Sequence, residues 1–135
     1  MIDVLLDTNV LVYAFDKTSV FHKQSAEHFR NEENNLFITT KNISEFFAVC
    51  SKLRLDFNKT FGFYTDIKEN FTILKPDDLS LSKFEILLKK YHPKGNRVYD
   101  FEIVSIMLAN NLKKIATANI VDFINVTEVE LIEIK

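Results

Sequence analysis

The sequence predicts a three-layer α/β/α protein, in which helices cover both faces of a mainly parallel sheet of about five strands. Three observations lead to this prediction. Short apolar runs alternate along the chain with longer segments whose apolar residues recur every three or four positions. The opening run, residues 2–6, is apolar except for Asp3, as expected for a strand that is buried on both faces. The 135 residues contain no repeat, low-complexity tract or linker, so we expect one domain over residues 1–135.

Each element follows from its local pattern. Polar residues from Asp7 to Asn9 end the first strand, and the apolar segment 10–15 then starts a helix. The helix from Ile43 has one apolar face at helical spacing, and the helix 99–112 is the most apolar and should be central. Pro93 and Gly95 close the helix 79–91. The predicted strands are 2–6, 36–39, 71–74, 114–118 and 129–134, the last of them an edge strand, and the predicted helices are 10–15, 22–30, 43–55, 59–70, 79–91 and 99–112.

The composition excludes several kinds of protein. Two glycines are too few for a glycine-rich phosphate loop, and the lone Cys50 supports neither a disulfide framework nor a cysteine zinc site. No apolar run approaches the ~20 residues of a membrane span, and the N-terminus lacks the features of a signal peptide. We therefore expect a cytoplasmic protein without a membrane segment. The net charge of −2 does not by itself suggest a nucleic-acid binder.

Four carboxylates follow the predicted strands or begin the next helix. Asp7 ends the first strand, Glu45 and Asp100 lie in first helical turns, and Asp122 follows the strand 114–118. Ligands of open α/β sheets bind at the carboxyl ends of the strands, and carboxylate oxygens suit Mg²⁺ or Mn²⁺. Each acid also has a simpler explanation: a capping box for Glu45, the helix dipole for Asp100, a turn for Asp122 and a strand end for Asp7. These explanations leave unexplained why all four fall on one edge of the sheet, and that coincidence favours a functional site.

The motifs around these acids resemble the PIN-domain nucleases, in particular the VapC toxins of toxin–antitoxin pairs. The resemblance rests on Leu6-Asp7-Thr8-Asn9-Val10, Ser44-Glu45-Phe46, Tyr99-Asp100-Phe101 and Thr117-Ala118-Asn119-Ile120-Val121-Asp122-Phe123, in the same order and spacing. It implies a five-stranded parallel sheet and Mg²⁺- or Mn²⁺-dependent cleavage of RNA. It also implies a homodimer and an antitoxin partner. The acidic quartet maps onto Asp7, Glu45, Asp100 and Asp122, although many members of the family have the fourth acid closer to the position of Asn119.

The chemistry of such a site suggests roles for these and other residues. Asp7 and Asp100 are the expected principal metal ligands, with Glu45 and Asp122 completing or orienting the shell. Without metal, the packed like charges should raise the pKa of at least one carboxyl. The expected supporting residues, which hold carboxylates or waters, are Thr8, Asn9, Thr117 and Asn119. The expected RNA contacts come from the cationic segment before Asp100, either as phosphate and stacking contacts or as no more than a solvated loop, and are Lys89, Lys90, Tyr91, Lys94 and Arg97.

Two other classes of protein compete with a nuclease. A phosphoacceptor receiver domain is also a small α/β sheet with acids at strand ends, but it needs an acidic pair after the first strand. Here Thr8 and Asn9 follow Asp7, and no acceptor Asp follows the strand 36–39, which disfavours that class. A catalytically inactive module on the PIN fold, binding RNA or protein, is the remaining alternative. The presence of all four acids argues against it.

Overall fold

A computed structural model, in which residues 1–134 are described, has a five-stranded parallel sheet with helices on both faces. The predicted fold class is confirmed. The strands are β1 (Ile2–Leu6), β2 (Asn34–Thr39), β3 (Thr72–Leu74), β4 (Lys114–Thr117) and β5 (Glu130–Glu133). The helices are α1 (Thr8–Phe15), α2 (His22–Arg30), α3 (Thr40–Lys52), α4 (Phe57–Asn70), α5 (Asp78–Tyr91) and α6 (Arg97–Ala109), and a 3₁₀ turn covers Ile120–Asp122.

The strand order across the sheet is β3-β2-β1-β4-β5, and every neighbouring pair is parallel. The chain therefore starts at the central strand β1, moves outward to the edge strand β3, and returns to the other side of β1 as β4. β5 is the opposite edge, as predicted. The strand order reverses between β1 and β4, and in parallel sheets this switch point opens a crevice in which ligands bind.

The central strand has apolar residues on both faces of the sheet. Val4, Leu5 and Leu6 are fully buried. Val4 and Leu6 pack in the core formed with α1 to α4, whereas Leu5 packs in a second core with α5 and α6. α6 contributes four fully or almost fully buried residues to the second core, namely Phe101, Ile103, Val104 and Met107. Burial on this scale contributes about 1.5–3 kcal/mol for each large apolar side chain, and it fixes the strand and helix ends that carry the polar residues.

Helix ends are where the structure departs from the predicted boundaries. α1 begins at Thr8 because Asp7 acts as its N-cap, and α3 begins at Thr40 because Thr39 caps it. The cationic segment 89–97 is not one loop: its first three residues form the last turn of α5, and Arg97 begins α6. Only residues 92–96 connect the two helices, with positive φ angles at His92 (47°) and Gly95 (58°). None of the described helices is long and apolar enough to span a membrane.

Candidate active site

A cleft of about 410 Å³ lies at the switch point between β1 and β4. The backbone N–H of Asp7 donates to the carbonyl oxygen of Ala116 at 3.0 Å, so the pairing of the two strands fixes where Asp7 enters the cleft. The structure brings all four predicted carboxylates to this cleft. Its lining comprises Asp7, Thr8, Asn9, Val12, Tyr13, Glu45, Val49, Leu53, Asp100, Asn119 and Asp122.

Asp7 is the most constrained of the four acids. Its side chain is only 7% exposed. Oδ1 accepts a hydrogen bond from the backbone N–H of Thr8 at 2.8 Å, and Oδ2 accepts from Thr117 Oγ1 at 2.9 Å and from Asn9 Nδ2 at 3.1 Å. Asn9 Oδ1 in turn accepts from the N–H of Ala118 at 3.1 Å. These bonds join the end of β1 to the end of β4 and hold the carboxylate in one orientation.

Thr117 and Asn119 connect the same network to the chain after β4. Thr117 is fully buried, and its Oγ1 also accepts a hydrogen bond from the backbone N–H of Asn119 at 2.9 Å. Asn119 itself is exposed at the edge of the cleft. The hydroxyl of Thr117 thus donates to Asp7 and orders the turn that leads towards Asp122.

The start of α3 is held by a capping box that the sequence analysis did not identify. Thr39 and Asn42 are fully buried, Asn42 Oδ1 accepts from the N–H of Thr39 at 2.8 Å, and Thr39 Oγ1 accepts from the N–H of Asn42 at 3.2 Å. Asn42 Nδ2 donates to Thr8 Oγ1 at 3.0 Å, which ties α3 to α1. Because Asn42 fills the capping role, Glu45 is not needed there, and its side chain faces the cleft.

Glu45, Asp100 and Asp122 have few polar partners compared with Asp7. Oε1 of Glu45 is buried and has no hydrogen-bond partner among the described residues. Within residues 1–134, no hydrogen bond to the side-chain carboxylate of Asp100 or Asp122 is formed, whereas the backbone carbonyl of Asp122 accepts from Arg97 Nη2 at 2.7 Å. Free carboxylate oxygens therefore remain available to a ligand in the cleft.

Three of the four acids have a raised pKa. Burial raises the pKa of Asp7, although the hydrogen bonds from Thr117 and Thr8 oppose the shift. Burial, and next the negative charge of Asp7, raises the pKa of Glu45.

The shift is largest at Asp100, whose pKa is raised to about 7, mainly by burial and then by the charges of Asp7, Asp122 and Glu45 in that order. Arg97 partly offsets this shift. A raised carboxyl pKa was predicted from the like charges, and burial is the largest single cause of the shift at Asp100.

The donor set fits a hard divalent cation. Among residues 1–134, all the charged groups that line the cleft are carboxylates, and the buried Oε1 of Glu45 lacks the hydrogen-bond partner that a buried polar atom normally has. In the described part of the chain, however, no three Asp, Glu, His or Cys side chains are arranged so that they enclose a common metal position. The residues present therefore fit a hard cation by chemistry and location, without forming a closed metal cage.

The predicted RNA contacts divide into two groups. Lys90 Nζ donates to Glu128 Oε2 at 2.8 Å, and the hydroxyl of Tyr91 donates to Glu128 Oε1, while the Tyr91 ring stacks on Phe101 with centroids 4.9 Å apart. These two side chains are engaged outside the cleft. Lys89 and Lys94 are exposed and line neither the cleft nor the groove beside it.

Of that segment, Arg97 lies beside the acids, in a groove that adjoins the cleft. The groove is also lined by Lys41, Lys52 and Tyr99, which the sequence analysis did not select. Two features of the sequence could have identified Lys41 and Tyr99 as residues near the acids. Lys41 lies one helical turn before Glu45, and Tyr99 directly precedes Asp100.

Comparison with known proteins agrees with this fold. The sequence profile of the PIN domain matches residues 4–128. The chain therefore belongs to the PIN domain family. PIN-domain nucleases generally use divalent metal ions. No curated protein sequence is similar enough to this chain to count as a match.

Solved structures with the same fold include VapC toxins in their complexes. DNA-bound VapBC from Salmonella typhimurium matches with a TM-score of 0.72 at 16% identity, covering 100% of each chain. VapBC2 from Rickettsia felis, bound to a promoter DNA fragment, matches with a TM-score of 0.71 at 20% identity, covering 98% of each chain. VapC20 from Mycobacterium tuberculosis, described as a toxin that cleaves the sarcin–ricin loop, matches with a TM-score of 0.68 at 10% identity, covering 83% of this chain and 86% of that one. These likenesses extend over nearly the whole chain and concern the fold.

Proposed function

We propose that the protein is a divalent-metal-dependent endoribonuclease that hydrolyses phosphodiester bonds of RNA, acting as a single PIN domain over residues 1–135. One observation carries the proposal: four carboxylates line one cleft at the switch point of the sheet, and one of them has a buried oxygen without a hydrogen-bond partner among the described residues. The proposed metal ligands are Asp7 and Asp100, with Glu45 and Asp122 completing the shell. The ion is Mg²⁺ or Mn²⁺.

The residues at the cleft have two kinds of role: some would bind the cation, and others fix the orientation of those ligands. A bound divalent ion would supply a more acidic water and neutralise negative charge on the phosphate. Thr8, Asn9 and Thr117 fix the orientation of the Asp7 carboxylate, and Asn119 orders the turn before Asp122. Asp100 lies in the first turn of α6 and brings a second carboxylate to the same cleft.

The cellular role that we propose is the toxin of a toxin–antitoxin pair, acting in the cytoplasm as a homodimer and restrained by an antitoxin. Support comes from the fold: the structural neighbours include VapC toxins solved in complex with their VapB antitoxins. The match covers 98% of each chain in one of these structures and 100% of each chain in another.

The test is cleavage of RNA by the purified protein with and without divalent metal. We expect total RNA to be cut in Mg²⁺ or Mn²⁺ and left intact in EDTA, with activity restored when the metal is returned in excess. Because water and not the adjacent 2′-hydroxyl attacks, the products should lack 2′,3′-cyclic phosphate ends. That end-group assay separates this activity from a contaminating metal-independent ribonuclease.

A folded protein that cleaves no RNA in either metal would overturn the proposal. The inactive PIN-fold binding module would then become the better reading. Cleavage that persists in EDTA would also contradict it, since carboxylates alone do not activate water for attack on a phosphodiester.

A further inference from the structure

A groove of about 480 Å³ continues the acidic cleft on one side and differs from it in charge. It shares Glu45, Asp100 and Asp122 with the cleft. Its other walls carry three cations and one aromatic ring, which come from Lys41, Lys52, Arg97 and Tyr99. The rest of the cleft lining carries no cation and includes Val12, Tyr13 and Leu53, while Val49 lines both the cleft and the groove. Among the described residues that line the cleft and the groove, the cations lie in the groove, which is therefore the part suited to a polyanion.

Lys41 and Tyr99 meet across this groove. The Nζ atom of Lys41 lies 3.9 Å from the centroid of the Tyr99 ring, which is a cation–π contact between α3 and α6. Tyr99 is nevertheless 45% exposed, so much of the ring surface remains uncovered. A tyrosine that is half exposed and held by a lysine on one side presents a flat apolar surface next to a positive charge.

The pair is built on the same two helices as two of the acids. Tyr99 directly precedes Asp100 in the first turn of α6, and Lys41 lies one turn before Glu45 on α3. Arg97 is held at the groove wall because its guanidinium donates to the Asp122 carbonyl oxygen at 2.7 Å. The position of the ring and of the cations relative to the carboxylates is thus fixed by regular helices.

We propose that Lys41 and Tyr99 form a clamp for one unpaired nucleotide next to the scissile phosphate, with the base stacked on Tyr99 and the neighbouring phosphate bound by Lys41. The proposal rests on the RNA substrate of the proposed function and adds that this substrate is single-stranded at the cleavage site. Neither residue belongs to the acidic quartet, and neither was among the predicted RNA contacts.

The single-strand requirement follows from the geometry of stacking. A base in a duplex has both faces covered by its neighbours, so it reaches a protein ring only when it is unpaired or in a loop. Stacking on an aromatic side chain tolerates any base, and phosphate contacts carry no sequence information. The clamp therefore selects unpaired RNA and positions it, and it does not by itself choose a sequence.

The charges of the groove agree with this role. Three cations balance three carboxylates among the groove-lining side chains of the described residues, so a divalent ion in the cleft leaves a net positive groove. A polyanionic strand then gains favourable contacts on the cationic side, where Tyr99 lies. Lys41 and Glu45 line the same groove one helical turn apart on α3, which places the cation beside the acid.

The experiment measures binding, so that its result does not depend on catalysis. Fluorescein-labelled oligouridylate is titrated with the folded protein in Ca²⁺, and a gel after each titration checks that the oligomer is intact. A second oligomer carrying 2-aminopurine reports base stacking through quenching of its fluorescence. The variants are Tyr99→Leu, which removes the ring, Tyr99→Phe, which keeps it, Lys41→Gln, and Lys68→Gln as the matched control at an exposed lysine of α4 outside the groove.

We expect Tyr99→Leu to weaken binding by about 10-fold or more and to abolish the quenching, whereas Tyr99→Phe keeps both. Lys41→Gln should reduce the slope of log affinity against log salt by about 0.7, the value for one phosphate contact on a single strand, and Lys68→Gln should leave it unchanged. A pair that only joined α3 to α6 would lower the melting temperature of the variants without changing binding or quenching.

The clamp is overturned if Tyr99→Leu binds and quenches like the wild type, or if the wild-type protein binds no single-stranded oligomer. These results are distinguishable from failure of the proposed function. If the wild-type protein cleaves RNA and Tyr99→Leu binds the oligomer as the wild type does, the nuclease function is supported and the clamp is ruled out. If binding depends on the Tyr99 ring but the protein cleaves no RNA, the clamp is supported and the nuclease function is ruled out.

Discussion

Replacing Asp7 with asparagine is expected to reduce metal-dependent RNA cleavage by more than about 100-fold. Loss of a residue that only orients a metal ligand typically costs 10- to 100-fold, so loss of a proposed ligand should cost more. The amide keeps the shape of the carboxylate and can still accept from the N–H of Thr8, so the cap of α1 survives. The measurement is the initial rate of cleavage of labelled RNA in saturating Mn²⁺.

The matched control is Asp3→Asn, at the other end of the same strand. Asp3 is exposed, and its Oδ1 accepts a hydrogen bond from Asn35 Nδ2 at 3.0 Å, far along β1 from the cleft. This variant should cleave at the wild-type rate. If Asp7→Asn retained a rate within about threefold of the wild type while remaining folded, Asp7 would not be a ligand of the reacting metal.

The second prediction concerns stability against pH in the metal-free protein. The pKa of Asp100 is raised from 3.8 to about 7, so the folded state binds this proton more tightly than the unfolded state does. The stabilisation by the proton is complete below about pH 4 and is lost as the pH rises through about 7. Asp100→Asn carries no such titration. As the pH rises from about 4 to about 7, the free energy of unfolding of the wild type should therefore fall by about 1–2 kcal/mol relative to that of Asp100→Asn, after allowance for the partial exposure of the group.

Urea unfolding in EDTA at a series of pH values measures this difference. Asp66→Asn, at an exposed carboxylate on α4, is the control and should follow the wild type at every pH. Parallel curves for wild type and Asp100→Asn would show that Asp100 titrates normally and that the acids do not share a buried cleft. Addition of Mn²⁺ should reverse the trend for the wild type, because a bound cation favours the ionised carboxylates.

The bounds of two elements could be predicted from the sequence to the residue. β1 (Ile2–Leu6) and α2 (His22–Arg30) have the predicted bounds. The start of α3 was placed three residues too late because its cap depends on Thr39 and Asn42 bonding each other, and a T-x-x-N pattern is a weaker sequence signal than an apolar stripe. Burial dictates the interior of an element, whereas local polar contacts dictate its ends.

The acidic cleft followed from topology, since residues after parallel strands meet at one edge of the sheet. The cationic groove could not be predicted in this way, because its cations come from α3 and the start of α6, which are far apart in sequence. The adjacent cations of segment 89–97 were the stronger sequence signal, yet Lys90 and Tyr91 are engaged by Glu128, which stands nearly 40 residues later in the chain. A contact between residues so far apart in the chain produces no local sequence pattern from which it could be predicted.

The central claim is that the four carboxylates bind a divalent cation, and Mn²⁺ binding followed by the EPR signal of the free ion tests it most directly. We expect the wild-type protein to remove Mn²⁺ from solution saturably and Asp100→Asn to lose most of this binding, with Asp66→Asn unchanged. Equal binding by wild type and Asp100→Asn, or no saturable binding by the folded wild-type protein, would contradict the account.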